Sequence, residues 1–343
     1  MKQGSTIMSN KKNSQRLWSL FTVVVIMAIL LSGCGGAQET KEFKVGILIG
    51  LDFTAPVADG FKSGMAKLGY IEEQNIVYDV QMTNFDMLKY RAILKKFVAD
   101  KVDLILVTPT EATLEAKVIT QGTDIPVLFN FAFTEGMGII DSVREPGGNI
   151  TGVRFPGIDI TVKRFEVLRT LAPNAKRIWL PYQRGYPIVA PQLEALAPLA
   201  KAAGVTLIEF PADNAAEIQA ELDARSAADD VGMDAILLLV EPLVVVPDAF
   251  SATAKFAYEH KLPFGGTYTS VGEYSSIFGV NVNLFKSGEL AAPLADKIFK
   301  GTPAGTIPAV SPENFIQIDY KTAQEFGLTV PEGLLKQADE IIR

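Results

Sequence analysis

Short β-rich runs alternate with longer segments of helical spacing along most of this chain, and that alternation constrains its fold more than any other feature. FKVGILIG (Phe43 to Gly50) reads as a buried strand, and Phe61, Met65 and Leu68, spaced by four and three, as the apolar face of a helix. NIVYDVQM (Asn75 to Met82) is a second strand, followed by a helix with Leu88, Ile93, Leu94 and Phe97 inward. DLILVT (Asp103 to Thr108) and PVLFNF (Pro126 to Phe131) continue the series. Continuous apolar strands between helices predict a parallel sheet covered on both faces.

The rhythm restarts at about Thr151, just past the turn-forming Glu145-Pro146-Gly147-Gly148-Asn149. Helices are expected over Ile160 to Leu171, Ala190 to Ala203, Ala215 to Ala228 and Pro247 to His260, with strands RIWLP (Arg177 to Pro181), VTLIEF (Val205 to Phe210) and DAILLLV (Asp234 to Val240) between them. Strand-like LPFGG, SIFGVN and FIQIDY follow, with helices from Leu284 to Phe299 and from Pro331 to Ile342. Two successive βα series imply an α/β chain of two Rossmann-like lobes, although one long sheet or a closed eight-stranded barrel also fits the count.

The first 33 residues are of another kind. Lys2, Lys11, Lys12 and Arg16 precede an apolar run from Leu17 to Leu31, and Ser32-Gly33-Cys34 follows. A basic start, an apolar stretch of this length and small residues at its end describe an export signal, too short to favour a spanning helix. LSGC, which holds the chain's one cysteine, resembles the lipobox of bacterial lipoproteins. That resemblance implies cleavage before Cys34, its acylation (palmitate among the chains), and a membrane anchor outside the cytoplasm; several acyl chains hold durably where one does not. Residues 34–42 then read as a flexible tether. Without the four basic groups of the leader the net charge moves from −7 to −11, which disfavours nucleic acid as a partner.

Several strings resemble the extracytoplasmic substrate-binding lipoproteins of ABC importers, specifically the tryptophan- and tyrosine-type group with the type I periplasmic-binding-protein fold. They are GFKSGMAKLGYIEEQNI (Gly60 to Ile76), TPTEATLEAK (Thr108 to Lys117), DIPVLF (Asp124 to Phe129), REPGGNITGV (Arg144 to Val153) and the tail from Pro312 to Ile342. The resemblance implies two lobes, a ligand cleft between them, and crossovers near Asn149, Val271 and Ser311. Lobe 1 would hold residues 43–149 and 272–310, and lobe 2 residues 150–271 and 311–343. It also implies a monomer that passes a small molecule, such as an amino acid, to a permease powered by an ATPase. Family members usually carry an Asp-Pro pair thirteen residues before the Pro of the Pro-Gly-Gly turn; that position here is Phe133, followed by Thr134. An aromatic ring thus stands where the resemblance implies a carboxylate facing the ligand's amino group.

Ligands of open parallel sheets bind beyond the carboxyl ends of the strands. In the first lobe that rule selects Asp52, Phe53 and Thr54, then Thr108, Thr110 and Glu111, then Phe131, Phe133 and Thr134; in the second it selects Tyr182, Gln183 and Arg184, then Glu241, then Tyr268, Thr269 and Ser270. Thr110 is equally suited to capping a helix, and Arg184 to pairing on the surface. Phe53, Phe131, Phe133, Tyr182, Tyr186 and Tyr268 could stack on a ligand, and Asp52, Glu111, Glu135 and Glu241 suit an ammonium group.

Catalysis has little to work with. The chain contains one histidine and one cysteine, and no Gly-x-x-x-x-Gly-Lys, Gly-x-Ser-x-Gly or His-Glu-x-x-His string. Gly136-Met137-Gly138 lacks the strand-to-helix setting of a dinucleotide site, and His260 is placed to finish a helix rather than to act as a base. Neither metal nor cofactor is expected. A carboxylate-based enzyme and a solute sensor reporting to a membrane receptor or kinase are the alternatives to an importer subunit.

Overall fold

A computed structural model describes residues 41–343; the predicted leader 1–33, Cys34 and tether residues 34–40 lie outside the described residues. Residues Phe43–Arg343 form one compact unit. Its first half runs β1 (Phe43–Ile49), α1 (Pro56–Lys67), β2 (Ile76–Met82), α2 (Met87–Ala99), β3 (Leu104–Thr108), α3 (Thr110–Ile119), β4 (Val127–Ala132) and β5 (Ile150–Arg154). Their sheet is wholly parallel, in the order β2-β1-β3-β4-β5. One face buries Val45, Ile47 and Leu106 with Phe61 and Met65 of α1, and the other buries Leu48, Ile105 and Val107 with Leu94 and Phe97 of α2.

The second half runs α4 (Gly157–Leu171), β6 (Arg177–Gln183), α5 (Val189–Ala202), β7 (Thr206–Ala212), α6 (Ala215–Ser226), β8 (Ala235–Leu237), α7 (Pro247–His260), β9 (Phe264–Gly266), the hairpin β10 (Ser270–Val271) and β11 (Tyr274–Ser275), and β12 (Phe278–Val282). After α8 (Leu284–Phe299) come β13 (Asn314–Asp319), α9 (Tyr320–Glu325), α10 (Glu332–Leu335) and β14 (Glu340–Ile342). The second sheet has the order β14-β13-β12-β9-β8-β6-β7, with the β12–β13 pair antiparallel. The fold is thus α/β with two lobes.

Two expected crossovers move. The Pro-Gly-Gly turn does not end the first lobe: β5 pairs with β4, Val127 beside Ile150, so the chain leaves that sheet only after Arg154. The turn instead docks on the late segment around Ala304, with the Gly147 amide donating to the Gly305 carbonyl at 3.0 Å. Likewise β12 belongs to the second sheet, so the return follows Val282 rather than Val271. Helix α8 then packs on α1, β4 and β5, and the buried Asn130 and Ser287 exchange two hydrogen bonds of 2.9 and 2.8 Å. The chain crosses again between Val310, which bridges to Val153, and β13.

Two elements come out shorter than their patterns predict, each for a visible reason. The expected strand Asp234 to Val240 is regular only through Leu237, because its neighbour β9 stops at Gly266 (φ 144°). Beyond that point side chains replace a strand as partner: Arg164 of α4 donates to the carbonyls of Leu238 and Val280, each at 3.0 Å. Gln192 of α5 accepts the Val240 amide and donates to the Val240 carbonyl, both at 2.8 Å. At the C-terminus, helix ends at Leu335 and Glu340–Ile342 pair instead with β13. Asp339 makes that switch by matching both backbone and side chain to Ile316, whose amide it accepts at 2.8 Å.

Candidate functional site

The loops after β1, β3 and β4 lie side by side at one end of the first sheet. After β1 the chain turns through Asp52–Thr54, and the Thr54 hydroxyl donates to the Leu51 carbonyl at 2.7 Å. That hydroxyl has one proton, so the 2.7 Å contact with Thr108 Oγ1 is donated by Thr108. Both threonines are fully buried, and they brace the loops from beneath. The Thr110 hydroxyl makes no cap bond; it accepts the Phe133 amide at 3.0 Å and so ties the β3 loop to the β4 loop.

At the end of β4 a bulge between Asn130 and Ala132 leaves Phe131 in the left-handed region, φ 52°. A bulky residue there is strained, and bulges commonly re-aim a side chain beside a functional surface. The Phe131 ring meets Phe53 edge-on at 5.7 Å and Phe155 at 4.5 Å. Phe53 is 56% exposed, which makes it an aromatic ledge over the strand ends.

The second sheet answers across the gap. Tyr186, in the loop after β6, donates its hydroxyl to Glu111 Oε1 at the start of α3, at 2.9 Å, joining the two lobes. Burial first, and then the Glu111 charge, hold the Tyr186 hydroxyl well above the usual tyrosine range, so it remains a neutral donor. Tyr90 of α2 donates to the Gly50 carbonyl at 2.9 Å, and burial with the nearby Glu111 charge pushes it up to about 12. Glu241, after β8, is buried and accepts the amides of Leu243 and Val244 at 2.8 Å and of Gln183 at 3.3 Å. Burial raises its pKa, while those three amides pull it down.

Other residues expected at the strand ends turn elsewhere. Phe133 is buried in the core of the second lobe, beside Phe155, and a Cβ on Gly157 would lie 2.5 Å from its ring. It therefore fills the crossover instead of presenting a ring to a ligand, and the buried Thr134 bonds to Glu135, itself paired with Arg154. The Tyr182 hydroxyl reaches back along β7 to Glu209 at 3.0 Å, and Arg184 is taken up by Asp213, Glu217 and the Pro211 carbonyl. Tyr268, Thr269 and Ser270 lie at the opposite end of the sheet. After Gly266 the chain folds back over β12, Thr269 pairs with Ser276 just before that strand, and burial with the Asp319 charge raises the Tyr268 pKa. His260 ends α7 with Nε2 3.1 Å from Ser226 Oγ.

Tyr90 and Thr83 were not selected from the sequence. Applying the strand-end rule to β2 finds Thr83, a buried hydroxyl without a hydrogen-bond partner among the described residues. Among the described residues, no group of three or more His, Cys, Asp or Glu side chains could hold a metal, and no helix is long and apolar enough to cross a membrane.

Two largely parallel sheets joined by three crossovers, with strand-end loops meeting across them, make up the type I periplasmic-binding-protein fold. Residues 44–342 match the family described as ABC transporter substrate binding protein, and the chain belongs to that family, whose members are extracytoplasmic substrate-binding proteins and not enzymes. A relative named tyrosine-binding protein, from Clostridioides difficile, is 26% identical over 342 residues, covering 95% of this chain and 93% of the relative. Among solved structures, an ABC domain from Streptococcus pneumoniae in complex with L-Trp is 24% identical, with a TM-score of 0.72 over 88% of this chain and 100% of its own. The ligand-free, open structure of a Clostridium difficile substrate binding protein with adhesive properties is 23% identical, with a TM-score of 0.72 over 88% and 99% of the two chains.

Proposed function

We propose that this protein is the lipid-anchored receptor of an ABC importer, capturing an amino acid, most readily an aromatic one, by closing its lobes and handing it to a membrane permease and its ATPase. The observation that carries this reading is the meeting of Glu111 and Tyr186 across the lobes, with the exposed Phe53 ring at the end of the strand next to the one that leads to Glu111: one acid and one aromatic ledge suit an ammonium group and a ring. The tyrosine-binding relative and the L-Trp complex support the same ligand class. Asp52, Phe53, Thr54, Thr108, Thr110, Glu111, Phe131, Gln183 and Glu241 are the ligand-binding or loop-bracing positions of this reading. Contacts from both lobes favour the closed form by their differential affinity for it.

The chain from Gln38, which contains the whole compact unit, is expected to gain thermal stability with L-tyrosine or L-tryptophan but not with sugars or polyamines. At 100 times its dissociation constant a ligand adds ~2.7 kcal/mol. A melting curve unmoved by every amino acid would refute the ligand class. Anchoring is a separate expectation: Cys34→Ser should move the full-length protein from the membrane to the soluble fraction, and retention in washed membranes would count against an acylated Cys34.

A further inference from the structure

The acids gathered at the strand ends are not equivalent. Glu241 is surrounded by backbone donors, three amides on one carboxylate, and those contacts clamp the β6 and β8 loops of a single lobe. Glu135 is held by the Arg154 guanidinium, and Asp52 is exposed to solvent. Glu111 alone among these four reaches the other lobe, and its partner there is a neutral hydroxyl rather than a cation. A carboxylate prefers a charged donor to a neutral one, because charge-assisted hydrogen bonds are roughly twice as strong.

We propose that the Tyr186–Glu111 hydrogen bond is a latch competed by ligand: Glu111 receives the ammonium group of the bound molecule, and the Tyr186 hydroxyl occupies that carboxylate across the cleft until the ligand arrives. The inference rests on the amino-acid reading above and assigns the amine to one residue. The geometry supports it in two further ways. Glu111 follows Thr110, which is tied to the β4 loop, so the acid is carried on a braced segment. The Phe53 and Phe131 rings, which meet edge-on, stand at the ends of β1 and β4, the two strands that flank the β3 leading to Glu111 in the same sheet. The latch also sets a threshold, since a molecule without a cation gains nothing by displacing Tyr186 from Glu111.

Isothermal titration and apo-state small-angle scattering on the chain from Gln38 test both halves, with L-tyrosine and its deaminated analogue 3-(4-hydroxyphenyl)propionate as probes. Glu111→Gln should weaken L-tyrosine binding about 30-fold while leaving the analogue within about threefold of its wild-type affinity. Tyr186→Phe should tighten L-tyrosine about three- to tenfold and enlarge the apo radius of gyration, because the lobes lose a tie and the acid loses its competitor. Equal L-tyrosine affinity in Glu111→Gln and wild type overturns the ammonium assignment, and unchanged or weaker binding together with unchanged scattering in Tyr186→Phe overturns the latch. Wild-type protein that binds neither probe and whose melting curve no amino acid moves overturns the amino-acid reading and the ammonium assignment together, while binding of another amino acid, such as L-tryptophan, moves the same Glu111→Gln test to that ligand; the scattering of Tyr186→Phe decides the tie between the lobes in either case.

Discussion

Gly288→Val is expected to destabilise the protein by at least about 3 kcal/mol, read as a lowered denaturant midpoint with expanded or aggregated material at 37 °C. Helix α8 crosses α1 at a contact where neither helix has room for side chains. A Cβ on Gly288 would clash with the Val57 carbonyl oxygen, one on Gly60 with the Phe285 carbonyl oxygen, and one on Gly64 would lie 2.7 Å from the Ala292 methyl. These neighbours are mainly backbone, so no rotamer change relieves the overlap; the helices must part, uncovering Phe61 and Met65. Gly64→Ala meets a methyl group and should cost less than Gly288→Val. Equal stability of Gly288→Val and wild type would mean that the two helices are not in backbone contact.

Arg164→Ala should cost about 3–5 kcal/mol, because it strips a side-chain donor from each of two buried carbonyls and leaves a cavity. Arg164 is 2% exposed, and burial depresses its pKa to about 9, so it is still protonated at neutral pH. A buried cation with no carboxylate partner among the described residues is tolerated because the carbonyls of Leu238 and Val280 need a donor where β9 ends. Arg164→Lys should recover part of the loss, since an ammonium group can serve one carbonyl but does not span both. Urea unfolding distinguishes the three proteins, and an Arg164→Ala midpoint within error of wild type would show that β8 and β12 hold their spacing without the guanidinium.

Periodicity was informative where one helix face meets one core. Pro247–His260 and Leu284–Phe299 have the bounds that their spacing predicts, each with apolar residues recurring every three or four positions. It misled where a polar side chain stands in for a strand: nothing in DAILLLV shows that Arg164 and Gln192, dozens of residues earlier, take over as its partners. The strand-end rule does place Phe53 and Glu111 on loops at the carboxyl ends of β1 and β3, as their position in the chain suggests. It failed at Tyr268, because Gly266 turns the chain back over β12. At Arg184 the bland alternative prevailed, with Asp213 and Glu217 already in place on the neighbouring loop. Phe133 shows a further limit. Its position in the chain is that of a loop residue, yet Gly157 opens a space that only the tertiary fold reveals, and the ring fills it.

The late return of α8 has a consequence for how the polypeptide matures. The five strands of the first sheet are complete by Arg154, but the helix that covers Ala58, Phe61 and Met65 is supplied only by residues Leu284–Phe299. A nascent chain therefore carries a half-dressed sheet until most of its length has emerged, and its amino-terminal portion has no complete core of its own during that interval. Truncations ending before Leu284 should accordingly be held by chaperones or degraded, whatever the intrinsic quality of the strands they contain.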